Sequence, residues 1–171
     1  MAQGMIIVGF ATIGKSFLGK KYRNVIDLES SYYKHNDREL ESFSVEARKG
    51  IKRKVNPEWP ENYYKAIQEA VKKYDVVLVQ LKPEHFDYFD ENHIKYRIAY
   101  PNIHDWEGVK KKCIDRGNNE NFIRRLEEVF VPYYEDCLQR NYEKFYILDE
   151  NETLESVLIK NNIELRVGDD E

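Results

Sequence analysis

Short continuous apolar runs, separated by helix-length amphipathic stretches, set the rhythm of this chain. Three runs have the shape of strands buried on both faces: MIIVGF (Met5 to Phe10), DVVLVQL (Asp75 to Leu81) and KFYILD (Lys144 to Asp149). Two weaker runs, NVIDL (Asn24 to Leu28) and KYRIAYP (Lys95 to Pro101), complete the set. Between them lie helical patterns: KSFLGKKY, PENYYKAIQEAVKKY, PEHFDYFDENH and a long stretch from Glu107 to Asn141 broken near DRGNN. A last helix, NETLESVLIK, follows the third run.

Strand and helix alternating at this spacing call for crossover connections and a mostly parallel sheet covered on both faces. The expected fold is therefore α/β, a three-layer α/β/α domain with a mostly parallel sheet of about five strands. The segment 30–60 contains His35, Asn36, Asp37, Gly50, Pro57 and Pro60 and reads as a polar insertion beside the sheet. There is no internal repeat and no low-complexity tract, and the acidic end GDDE reads as a frayed tail.

Composition narrows the function classes. With 171 residues, 42% of them hydrophobic and 34% charged, the chain suits one folded domain spanning 1–171. Thirteen tyrosines point to amphipathic packing and well-covered clefts. A net charge of -4 argues against a nucleic-acid partner, although the basic run RKGIKRK (Arg48 to Lys54) can meet a local anion or stand as a solvated face. The two cysteines, Cys113 and Cys137, have neither disulfide-framework nor zinc-site spacing, which fits a reducing cytoplasm. No apolar run is long enough for a membrane span, and no cleavage-site pattern marks a secreted chain. A homodimer is compatible with these features.

The chemistry concentrates in GFATIGKS, Gly9 to Ser16, a complete G-x-x-x-x-G-K-[ST] pattern set between a buried strand and a helix. The glycines let several backbone N–H groups converge on one point, and the positive end of the following helix adds to their field. Gly9, Ala11, Thr12, Ile13, Gly14, Lys15, Ser16 and Phe17 are the expected ATP contacts, with Lys15 reaching the outer phosphates and Ser16 a magnesium ligand. Asp27, at the C-terminal end of a parallel strand, either faces the ligand crevice, to align an acceptor or hold magnesium through water, or is a loop carboxylate. Asp149, in FYILDE, is a late acidic match that reads mainly as a turn residue opening the last helix.

The whole pattern resembles the small phosphate-loop kinases, the nucleoside monophosphate kinase and shikimate kinase group. GFATIGKS, then VIDLESS, then an insertion, then DRGNNENFIRRLEEVF and the closing YILDENETLESVL carry the likeness. PEWPENYYKAI, YRIAYP and RGNN look like small phage-borne proteins described as nucleotide kinases. The resemblance implies a P-loop kinase that transfers the γ-phosphoryl group of ATP, with Mg2+, to a small acceptor, above all a nucleoside or deoxynucleoside monophosphate. It implies a lid over the triphosphate at about 107–125, with Arg116 and one of Arg124 and Arg125 on the phosphates.

Arg48 and Arg53 of the insertion are candidates for the acceptor's own phosphate. Tyr63 and Tyr64 read as core residues rather than base-stacking ones, and the four histidines show no spacing that suggests chemistry. Two departures keep rivals open. DVVLVQL ends at Gln80 where an acidic, metal-steering residue would be expected, which suits a nucleotide-binding switch. VIDLES also suits a shikimate-type kinase of a non-nucleotide metabolite.

Overall fold

In the computed structural model, which describes residues 3–35 and 54–168, five strands form a single all-parallel sheet. They are β1 (Met5–Gly9), β2 (Val25–Leu28), β3 (Val76–Gln80), β4 (Arg97–Pro101) and β5 (Lys144–Leu148), in the order β2-β3-β1-β4-β5. The helices are α1 (Lys15–Lys21), α2 (Ser31–Lys34), α3 (Glu61–Ala70), α4 (Pro83–Glu91), α5 (Trp106–Asp115), α6 (Glu120–Leu138) and α7 (Leu154–Lys160). The expected α/β fold is the one observed.

Strand periodicity divides each apolar run between two cores. Ile6 and Val8 of β1, with Val77 and Val79 of β3, pack under α3, α4 and α6. Ile7 with Val76 and Leu78 faces the other way, onto Leu18 of α1 and Leu154, Val157 and Leu158 of α7. That makes three layers, and it explains why β1 and β3 read as continuous hydrophobic runs: every residue has a covered face.

The strength of the two outer runs is reversed in the structure. Ile98, Ala99, Tyr100 and Pro101 of β4 are all buried because β4 lies between β1 and β5. KFYILD becomes an edge strand in which Lys144 and Ile147 are exposed. α7 opens on Thr153, whose side chain accepts from the Ser156 N–H in a capping box, rather than on Asp149.

Topology then places the functional crevice. From β1 the chain runs to β2, returns through β3 beside β1, and crosses to β4 on the other side. The C-terminal end of β1 is thus the switch point of the sheet, where ligands of parallel α/β domains bind. The two ends of the polar insertion are tied together: Asn56 N–H donates to the Lys34 carbonyl at 2.7 Å, and His35 bridges Val55. Among the described residues no helix is long and apolar enough to cross a membrane, and Cys113 and Cys137 are free and buried.

Candidate phosphate-binding site

The loop after β1 turns on itself at once. A Cβ on Gly9 would stand 2.5 Å from the Ile13 Cδ1, so any larger residue there would push the buried Ile13 side chain aside. Thr12 and Gly14 adopt left-handed backbone, φ 71° and 99°, and Gly14 is the N-cap of α1. Ile13 is buried, and its carbonyl accepts from Leu154 N–H at 2.9 Å, which pins the loop to α7.

The consequence is a run of free donors. Among the described residues, no backbone carbonyl accepts from any N–H between Ala11 and Phe17; the first N–H in this stretch to find one is that of Leu18, bonded to Gly14 at 3.2 Å. Convergent free amides at a helix N-terminus make an anion site.

Lys15 belongs to the same cradle. Its ammonium donates to the carbonyls of Gly9 and Phe10 at 3.0 and 2.9 Å. Burial pushes its pKa down to about 8, with Asp27 and Glu29 opposing that shift and Arg116 adding to it. Asp27 is half-buried; burial raises its carboxyl above the ordinary range, against the pull of Lys15.

A cavity of about 560 Å³ collects these groups. Gly9, Ala11, Thr12, Gly14, Lys15, Ser16, Phe17, Asp27 and Arg116 line it, together with Phe122, Leu126, Val129 and Tyr133 of α6. Of the expected loop contacts, Ile13 alone turns its side chain into the core, leaving only its backbone N–H for a ligand. Thr12 Oγ1 and Asn118 Oδ1 are buried polar atoms with no partner among the described residues, and both residues are on the cavity wall.

The lid arginines separate. Arg116 follows α5, where its N–H caps the helix on the Lys112 carbonyl at 3.1 Å while the residue remains on the cavity wall. Arg124 and Arg125 are exposed and do not line the cavity. At about 100° per residue, Arg124 stands nearly opposite the stripe of Phe122, Leu126, Val129 and Tyr133. The structure therefore does not bring Arg124 to the phosphates. Arg48 and Arg53 lie outside the described residues.

Several wall residues carried no motif in the sequence. Lys82, two residues beyond the end of β3, lines the cavity with Glu29, Ser30 and Gln80. Ser30 Oγ donates to Gln80 Oε1, and the buried Tyr63 hydroxyl donates to the Leu28 carbonyl at 2.7 Å and accepts from Gln80 N–H at 3.3 Å. Tyr63 thus splints the ends of β2 and β3. Asp149 does not line the cavity and accepts from the Asn102 side-chain amide at 2.8 Å.

Fold and loop together make an α/β domain with an all-parallel sheet, in which a G-x-x-x-x-G-K-[ST] loop joins the first strand to the first helix. Among solved structures, the chain is similar to the tunicamycin resistance protein of Deinococcus radiodurans, with a TM-score of 0.53 over 98% of this chain and 100% of that one. Sequence identity is 12%, so the likeness is one of fold. No family model and no curated protein matches the sequence.

Proposed function

We propose that the chain is an ATP-dependent phosphotransferase that moves the γ-phosphoryl group to a nucleoside or deoxynucleoside monophosphate in the cytoplasm. The observation that carries this reading is one cavity holding both the free loop amides with Lys15 and the strand-end carboxylate Asp27. Amides and ammonium suit a triphosphate, and Asp27 is in reach of whatever lies beside it, to align an acceptor oxygen or accept its proton. Catalysis would be positioning and charge neutralisation, with Lys15, the loop amides and Arg116 sharing the developing charge. Arg48 and Arg53 would add cations from the insertion toward the acceptor phosphate.

Magnesium fits the donor set. Among the described residues no group of three or more His, Cys, Asp or Glu side chains could hold an ion alone. Ser16 and Asp27 are hard oxygen donors on the same wall, as suits an ion bound largely by phosphate and water. Bound there, the ion would neutralise phosphate charge.

A second reading, nucleotide binding without transfer, draws support from Gln80. β3 ends beside the loop in a neutral amide engaged by Ser30, where an acidic residue would steer a metal. The deciding experiment is a phosphotransfer screen with ATP and magnesium against monophosphates, nucleosides and polyol acids, run beside ATP hydrolysis. Tunicamycin belongs in the panel because the structural neighbour is named for resistance to it. Product from a monophosphate supports the first reading; tight ATP binding without product from any acceptor leaves the second.

A further inference from the structure

The cavity carries more positive charge than its phosphate loop accounts for. We propose that Lys82, backed by Lys34, is a second anion-holding position beside the phosphate loop, and that the acceptor presents to it a phosphate monoester or carboxylate on an apolar or aromatic body. This rests on the phosphotransferase reading and names the acceptor's chemical class.

Register sets the spacing. Gly9 pairs with Gln80, and Leu81 N–H donates to the Gly9 carbonyl at 3.2 Å, so pairing continues past the end of β3. Lys82 therefore leaves the sheet one residue later, on the strand adjacent to the loop strand, about 5 Å from it in the pairing direction. It is half-buried and lines the cavity.

Neither lysine has a counter-ion among the described residues. Among the described residues, neither Lys82 nor Lys34 takes part in an ion pair, although Lys21, Arg97, Arg140 and Lys160 all do. The Lys34 amine is near enough to act on that of Lys82, and burial and this like charge both lower the Lys82 pKa, with the exposed Glu84 opposing. Two adjacent ammonium groups, one of them half-buried, are unfavourable until an anion joins them.

The two cationic positions also have different charged neighbours. Lys15 feels Asp27, Glu29 and Arg116, whereas Lys82 feels Lys34 and Glu84. The loop and Lys82 thus offer an anion two positions on the wall of one cavity. Phe122, Leu126, Val129 and Tyr133 supply the wall for the ligand's apolar body.

The test is calorimetric titration of the full chain, with and without a non-hydrolysable ATP analogue and magnesium. The titrants are deoxynucleoside monophosphates, their parent deoxynucleosides, a carboxylated polyol and inorganic phosphate. Anionic titrants are expected to bind wild type more tightly than the parent nucleosides. Lys82→Gln should weaken an anion roughly tenfold or more and Lys34→Gln less, with Lys82→Arg retaining binding and the ATP analogue's Kd moving less than about twofold. The arm that binds best separates monophosphate from carboxylate. Thermal melts identify any variant that fails to fold, and Lys82→Arg then decides: retained anion binding supports the assignment and lost binding overturns it. Equal weakening of ATP analogue and acceptor, an unchanged anion affinity in Lys82→Gln, or no anion binding by wild type in any arm overturns the proposal. Binding without turnover would sink the phosphotransferase reading alone, because these arms read affinity.

Discussion

The ammonium of Lys15 folds back onto the carbonyl oxygen of Phe10, 2.9 Å away, and shares its protons with Gly9 as well. In this position the lysine satisfies its own loop. A phosphate entering among the free amides offers it a charged acceptor in exchange for two neutral ones. Lys15→Ala should therefore lower phosphotransfer roughly a hundredfold or more, since a principal charge stabiliser is removed. Its melting temperature should stay near that of wild type, because the Gly9 carbonyl keeps its bond from Leu81 N–H. Transfer assays and thermal melts check the pair.

The same geometry makes nucleotide affinity depend on pH. Lys15 titrates at about 8 in the ligand-free protein, down from 10.5, because burial disfavours its charge. A bound phosphate favours the charged form, so binding takes up a proton. ATP affinity should then fall as pH rises above about 8, by at most about tenfold per unit. The ligand-free protein shows the opposite trend: the unfolded chain holds the extra proton between about 8 and 10.5, so this group makes stability rise across that window. Titrations in buffers of different ionisation enthalpy would report the proton uptake, and Lys15→Met should abolish it.

Gly9→Ala tests the fold-back itself. Its Cβ would meet Ile13 Cδ1 at 2.5 Å, and Ile13 is held in the core between β1 and α7. The Ile13 Cδ1 has to shift against the core residues packed around it. Overpacking of this kind costs about 1–3 kcal/mol, and ATP affinity should fall along with the melting temperature. Unchanged ATP binding would mean that the loop amides are not the phosphate cradle.

His85 provides a second pH effect on stability, of the same sign as that of Lys15 but in the acid range. It is 1% exposed, its Nδ1 is 3.1 Å from the Tyr64 hydroxyl, and Nε2 has no partner. Burial, with a smaller effect from Lys82, pushes its pKa down to about 4 from 6.5. The unfolded chain protonates first as pH falls, so stability is lost from about 6.5 toward 4. That loss should reach about 1–3 kcal/mol in urea denaturation, and His85→Phe should flatten the profile between pH 6.5 and 5.5.

How much of this was legible follows from burial. β1 and β3 announced themselves because both faces are covered, and the loop because its chemistry permits few residues. β4 was understated because Arg97 and Tyr100 interrupt its apolar run, although neighbours on both sides bury it. β5 was overstated, because one run of letters does not say which strand ends at the sheet's edge. Lys82 belongs to no motif; only the Gly9 to Gln80 register brings it to the loop. The phase of α6 was readable. Phe122, Leu126, Val129 and Tyr133 recur at spacings of four, three and four, which marks the inward face and puts Arg124 behind it.

That phase separates the two arginines in a final prediction. Arg116 is on the cavity wall and close enough to Lys15 to lower its pKa, so its positive charge already reaches the phosphate position. Arg124 is exposed, and Phe122 and Leu126, two residues to either side of it, both line the cavity. Charge stabilisation must act where negative charge develops during transfer. Arg116→Ala should reduce turnover about tenfold to a hundredfold, with a smaller effect on the Michaelis constant for ATP. Arg124→Ala should leave turnover within about twofold and stability within about 0.5 kcal/mol, as for an exposed side chain away from the site. Steady-state kinetics on both variants check the contrast. A silent Arg116→Ala with an inactive Arg124→Ala would require α6 to turn by nearly half a revolution in the ligand-bound protein, against the packing of Phe130 and Cys137 in the core.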